Sequence, residues 1–167
     1  MITKIVSGGQ TGVDQAGLLV ASKMGFSIGG WCPKGGLDEN GVCVLNQYPS
    51  LVEASTANSD ERTVLNIRDS DGTLIIVPCW PLPDKIKDGT RLTIDYVVQQ
   101  GKAHLVISLA DQGEAIETIL NWISLHNLRV LNIGGPRESS SPGIHQASNI
   151  LFRELFLTLQ SRPTLGK

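Results

Sequence analysis

The stretch SGGQTGVDQAG, Ser7 to Gly17, decides the fold. Ile2, Ile5 and Val6 lead into it as the end of an apolar strand. Val13, Ala16, Gly17, Val20, Ala21 and Met24 lead out of it three or four residues apart, the spacing of one buried helix face. The stretch is therefore a strand-to-helix turn. Its glycines can take conformations closed to other residues and let a ligand approach bare backbone. Thr11 or Asp14 is placed to satisfy free N–H groups at the helix start. A turn of this kind suits an anion, held at the positive end of the helix. On this reading a side chain added at Gly9 would occupy the anion's place.

The same order of apolar strand, glycine-rich turn and periodic helix recurs along the chain. Strand-like runs fall at Lys4 to Ser7, Ser27 to Gly29, Thr73 to Val77, Ala103 to Ser108 and Val130 to Ile133. Gly113 to His126 carries Ile116, Ile119, Leu120 and Ile123 on one helical face, and Gly143 to Leu159 carries Ile144, Ala147, Leu151, Leu155 and Leu159 on another. The run TLIIV is apolar throughout, as a strand covered on both faces must be. The expected fold is α/β and Rossmann-like, doubly wound, with a mainly parallel sheet of about five strands and helices on both faces. The least regular part, Pro33 to Ser55, reads as a loop excursion with a short hairpin. At 167 residues the chain fits one domain, 1–167, with Ser161 to Lys167 a loosely held tail.

Composition narrows the function. The net charge is −2 and no run of lysine or arginine occurs, which argues against nucleic acid and anionic membrane as partners. No segment approaches the length of an apolar membrane span, and the N-terminus has no signal-like core. The three cysteines, Cys32, Cys43 and Cys79, are odd in number and widely spaced, which argues against a disulfide framework or a zinc site and fits a reducing cytoplasm. No metal ligands and no catalytic residue are assigned; His104, His126 and His145 form no motif.

In a parallel sheet the loops after the strands meet along one edge, where ligands bind. Here those loops read GGQTG, GGWCPKGG, PCWPLPDKIKDGT and GGPRESSSPG. Lys34 and Arg137 supply local positive charge, Arg137 with a fork that suits phosphate or carboxylate. Thr11, Thr90 and Ser139 offer hydroxyls, and Trp31 or Trp80 either caps the core or walls a heterocycle. An anionic small molecule is the expected ligand.

SGGQTGVDQAGL, GGWCPKG, NIRDSDGTLI and VLNIGGPRES, in this order, resemble the molybdenum cofactor carrier family, within the Rossmann-like SLOG and lysine-decarboxylase-like superfamily. The likeness runs from Ile2 to about Phe156. It implies a carrier that binds the molybdenum cofactor, a phosphorylated pterin bearing a dithiolene, shields it and delivers it to molybdoenzymes or cofactor-biosynthesis proteins, as a homo-oligomer (dimer or tetramer). Carried over by motif, the phosphate loop falls on Gly8, Gly9, Gln10, Thr11 and Gly12. Further candidate contacts are Trp31 and Lys34, Ser70 and Asp71, Gly89 and Thr90, and Arg137, Glu138 and Ser139. Phosphoribohydrolases in the same superfamily carry a catalytic glutamate in a Gly-Thr-x-x-Glu pattern, where this chain has Gly89-Thr90-Arg91-Leu92-Thr93. Thr93 cannot act as a general acid or base. A carrier without turnover is the reading this favours. A nucleotide-sensing module and a phosphoribohydrolase-type enzyme are the alternatives.

Overall fold

The computed structural model describes residues 1–111 and 113–161. The chain forms β1 (Lys4–Val6), α1 (Val13–Lys23), β2 (Ser27–Gly29), β3 (Trp31–Cys32), β4 (Val52–Glu53), α2 (Ser59–Arg68), β5 (Gly72–Val77), α3 (Gly89–Gln99), β6 (Ala103–Ser108), α4 (Ala115–Leu125), β7 (Val130–Gly134) and α5 (Ile144–Ser161). Five strands make one sheet in the order β2-β1-β7-β5-β6. Every pairing in it is parallel. The expected α/β Rossmann-like fold is the one observed.

Both faces of the sheet are covered, and β5 shows it residue by residue. Leu74 and Ile76 pack into a core with Val13 and Val20 of α1, Ile119 and Ile123 of α4 and Phe152 and Leu155 of α5. Ile75 and Val77 point the other way, to Ile67 of α2 and Val97 of α3. A strand whose alternate side chains both enter apolar clusters cannot show polar alternation. The starts of α2 and α3 are set by side-chain caps. Asn58 accepts a hydrogen bond from Asp60 N at 3.0 Å, and Asp88 accepts one from Thr90 N at 3.0 Å.

The excursion after β2 departs from a simple hairpin. Leu37 and Cys43 form an antiparallel bridge that closes a turn. Beyond it, however, β4 pairs in parallel with β3, Trp31 opposite Val52. A small third cluster of Leu18, Cys32, Val44, Tyr48 and Leu51 fixes this segment against α1. Ser161 ends α5, and the rest of the expected tail lies outside the described residues.

Candidate functional site

The helices that follow β1 and β7 pack on one face of the sheet, and α3, which follows β5, packs on the other. Their loops separate at the carboxyl edge and leave a crevice, the place where open α/β sheets bind ligands. Gly8 and Gln10 from the first loop line it, as do Arg62 and Asn66 of α2, Asp88, Gly89 and Thr93 at the start of α3, and Asn132 to Gly135 with Arg137 at and beyond the end of β7. Ser7 ties the floor together by donating its hydroxyl to the Ile133 carbonyl at 2.8 Å, and Asn132 Nδ2 donates to Thr73 Oγ1 at 3.2 Å.

Arg62 is the central cation. Its Nη1 donates to Asp14 Oδ2 at 2.9 Å, with side chains only 11 % and 5 % exposed. Burial pushes the Asp14 carboxyl above the ordinary aspartate value, and the Arg62 guanidinium beside it pulls it back. Asp14 also accepts from Gln10 N at 3.3 Å. The Nε atoms of both Arg62 and Arg137 are buried with no hydrogen-bond partner. Two desolvated cationic donors without acceptors beside one crevice are costly unless an anion joins them.

The first turn behaves differently at each glycine. Gly9 and Gly12 have φ of 74° and 79°, so both need the left-handed region. A Cβ on Gly8 would collide with the Arg62 guanidinium, so this glycine faces the crevice. A Cβ on Gly9 would lie 2.9 Å from Leu51 Cδ2 and 3.3 Å from Val44 Cγ2. Gly9 therefore faces the cluster under the excursion rather than the anion's place. Gly12 precedes α1 without a side-chain cap, and Val13 N donates to the Pro136 carbonyl at 3.3 Å. Gln10 Oε1 accepts from Thr11 N and Glu39 N, at 3.0 and 2.8 Å.

Other candidates are committed to the scaffold. The Thr90 hydroxyl donates to Asp88 Oδ1 at 2.6 Å, while Asp88 Oδ2 accepts from Arg137 N at 3.0 Å. Glu138 does not pair with Arg137; it accepts from Gly143 N and His145 N at 2.5 and 2.9 Å and so secures the start of α5. Thr11 and Ser139 both donate their hydroxyls to Glu39. Trp31 lines a separate groove with Lys4 and Ser50, its indole N–H on Asp69 at 2.8 Å. Lys34 is exposed and does not line the crevice. Ser70 and Asp71 lie at the opposite, amino edge because they precede β5. Ser70 donates to the Ile67 carbonyl at 3.2 Å, and Asp71 accepts from Arg129 N and Val130 N at 2.8 and 2.7 Å, joining β5 to β7.

The circularly permutated YpsA SLOG family model matches residues 5–156. The chain belongs to that family. Among solved structures, this SLOG domain is similar to one described as a "putative molybdenum carrier protein" from Syntrophus aciditrophicus SB. The two share 43 % identity over 93 % of this chain and 95 % of that one, with a TM-score of 0.84. A comparison with curated proteins gave no match.

Within the SLOG domain, Arg62, Asn66, Asp88 and Glu39 are the polar residues that motif reading passes over. Asn66 lies inside the NIRDSDGTLI motif, one helical turn before the residues expected to bind. It clasps the Trp31 backbone, accepting from N at 2.8 Å and donating to O at 2.9 Å. The available signal was α2 itself: Arg62, Thr63, Asn66 and Ile67 share one face, and a helix face that is polar yet buried points into a site. Among the described residues no group of three or more His, Cys, Asp or Glu is placed to hold a metal ion, and no helix is long and apolar enough to cross a membrane.

Proposed function

We propose that this protein binds the molybdenum cofactor through its phosphate and carries it without chemical turnover. The observation that carries the reading is the pair of buried guanidinium Nε–H groups on Arg62 and Arg137, both lacking acceptors beside one crevice. A phosphate supplies the missing acceptors. The crevice has a volume of about 30 Å³, room for roughly two waters. The inner part thus matches the scale of a phosphate group and not of a fused ring. The ring has an outer groove of about 430 Å³ in which to lie, lined by Ser59, Lys87, Arg91 and Asp95. This groove shares Asp88, Gly89 and Arg137 with the crevice.

In this reading Arg62 and Arg137 hold the phosphate, Gly8 keeps the approach open, and Asp88 fixes the Arg137 backbone. The bound cofactor would supply dithiolene-held molybdenum for chemistry in a receiving molybdoenzyme. The naming of the 43 % identical neighbour supports molybdenum over other cargo. Absence of turnover is supported by the crevice carboxylates themselves. Asp14 is ion-paired, Asp88 is held by three donors, and Thr93, facing the crevice, gives its hydroxyl to the Gly89 carbonyl at 2.8 Å. Cytoplasmic location accords with free Cys32, Cys43 and Cys79. Homo-oligomerisation and delivery to molybdoenzymes or cofactor-biosynthesis proteins complete the proposal.

The test is anaerobic purification from a host that makes the cofactor, followed by acid oxidation and pterin fluorescence. Pterin approaching one per chain is expected. A pterin-free protein that binds adenosine monophosphate intact would replace the carrier by a nucleotide sensor, and release of free base would make it an enzyme.

A further inference from the structure

Glu39 belongs to the excursion after β2, yet its carboxylate reaches across to the two loops that frame the crevice. Oε1 accepts from the Thr11 hydroxyl and from Ser139 N at 3.2 Å, and Oε2 accepts from the Ser139 hydroxyl. Arg137 Nε stands 4.0 Å from Oε2, an ion pair beyond hydrogen-bond reach. The Glu39 side chain is only 12 % exposed. Burial works against its charge, but hydrogen bonds from Ser139 and Thr11, with Arg137 nearby, hold the carboxyl below the usual glutamate range.

Two hydroxyls, one backbone N–H and one guanidinium converging from the SGGQTG and GGPRES loops form a donor set suited to an oxyanion. The carboxylate fills that set imperfectly. Its two oxygens are taken by Thr11 and Ser139, and Arg137 Nε is left buried without a hydrogen bond. A phosphate monoester has three terminal oxygens and can reach all of these donors. The ligand that fits is thus one that the chain's own carboxylate only imitates.

The turn that carries Glu39 is held together by its own hydrogen bonds. Asp38 N donates to the Val42 carbonyl at 3.0 Å, and Asp38 Oδ1 accepts from Asn40 N and Val42 N at 2.9 and 3.0 Å, so the turn closes on itself. Its polar ties to the first loop and α1 are Glu39, the Glu39 N to Gln10 Oε1 bond and the Gln15 Nε2 bond to Asp38 Oδ2 at 3.0 Å. Leu37 and Val42, which flank the turn, are 54 % and 56 % exposed, so little apolar packing holds it down.

We propose that the Glu39 carboxylate is a built-in occupant of an oxyanion subsite made by Thr11, Ser139 and Arg137, and that a phosphate-bearing ligand binds there by displacing it and releasing the turn 38–42. This subsite adjoins the crevice of the proposed function through Arg137 and rests on that reading for the ligand's identity, though not for the anion chemistry. The exchange breaks no covalent bond. One anion replaces another on the same donors.

The experiment is titration of the full chain with inorganic phosphate by calorimetry, comparing the natural protein with Glu39→Ala and Glu39→Gln. Removing the internal competitor should tighten phosphate binding about tenfold or more, since charge-assisted contacts of this kind are worth that much. Glu39→Gln keeps the shape while removing the charge, and it serves if Glu39→Ala fails to fold. In the natural protein, saturating phosphate should speed amide exchange at Glu39, whose N–H is held from outside the turn by Gln10 Oε1. Phosphate affinity unchanged or weaker in the folded variants, or exchange that does not respond, overturns the proposal. Pterin-free protein that nevertheless shows the Glu39-dependent gain would sink the cofactor reading alone.

Discussion

Replacing Arg62 by alanine should destabilise the protein more than any other single change in the crevice, and for a reason that can be separated from ligand binding. The change leaves the Asp14 carboxylate, whose side chain is 5 % exposed, with the Gln10 amide at 3.3 Å as its one remaining donor. Breaking a buried ion pair from one side costs about 3–5 kcal/mol, because the surviving charge has lost both water and partner. For a domain of this size that corresponds to a fall of roughly 6–20 °C in Tm, at about 2–4 °C per kcal/mol. The sign of the pH dependence follows from Asp14. Its folded pKa lies above 3.8 even with Arg62 present, and losing the guanidinium raises it further. The penalty is therefore full above the folded pKa and vanishes as pH falls toward the unfolded value, so the variant should regain stability on acidification. Urea unfolding at several pH values measures this. Adding Asp14→Asn should restore most of the stability at neutral pH without restoring phosphate affinity. An Arg62→Ala variant within about 1 kcal/mol of the natural protein at neutral pH would refute the claim of a buried pair. A stable double variant with undiminished phosphate affinity would make Arg62 scaffold only.

Gly9→Val should cost about 1–3 kcal/mol of stability, from positive φ and the clash with Leu51 and Val44, while any chain that folds keeps its anion affinity; Gly8→Ala should lower stability and anion affinity together, because its Cβ displaces the Arg62 Nη1 that pairs with Asp14. Thermal melts paired with phosphate titrations distinguish the two. Asp71→Ala should lower stability by about 1–3 kcal/mol, because Arg129 N and Val130 N lose their acceptor, and should leave ligand affinity unchanged, as should Lys34→Ala. Glu61, whose pKa is lowered to about 2 from 4.5 by hydrogen bonds from Ser55 and Thr56, contributes stability that is present above 4.5 and lost as pH falls toward 2. Glu61→Gln should flatten the stability profile across that acid window, and an unaltered profile would show that these bonds do not persist in solution.

The sheet was legible because its determinants are local. Four of the five strand runs are marked by apolar composition, Ser27 to Gly29 having only Ile28, and the unbroken apolar run TLIIV requires cover on both faces. Gly8 and Arg137 could be assigned to the carboxyl edge, where they line the crevice, for the same reason, since a parallel sheet fixes which edge a post-strand loop must occupy. Ser70 and Asp71 lie away from the crevice, because a motif marks a neighbourhood without saying at which end of a strand its residues fall. Once Gly72 begins β5, the residues before it must lie at the amino edge.

Arg62 and Glu39 escaped for a different physical reason. Arg62 meets Asp14 from 48 residues away, and Glu39 meets Ser139 from 100. Neither follows directly on a strand of the main sheet, so no topological rule assigns it to an edge. Their positions depend on how α2 and the excursion pack, which is decided by side chains such as Ile67 and Leu51 that carry no chemistry. Yet the polar character of α2's inward face is itself informative. Thr63 and Asn66 are buried beside Ile67 at helical spacing, and burying such groups is unfavourable unless they meet partners. A helix with a polar inner face must therefore look onto other polar groups. Asn66 finds them in the Trp31 backbone and Thr63 in the Ser59 carbonyl, and both side chains border the carboxyl-edge crevice.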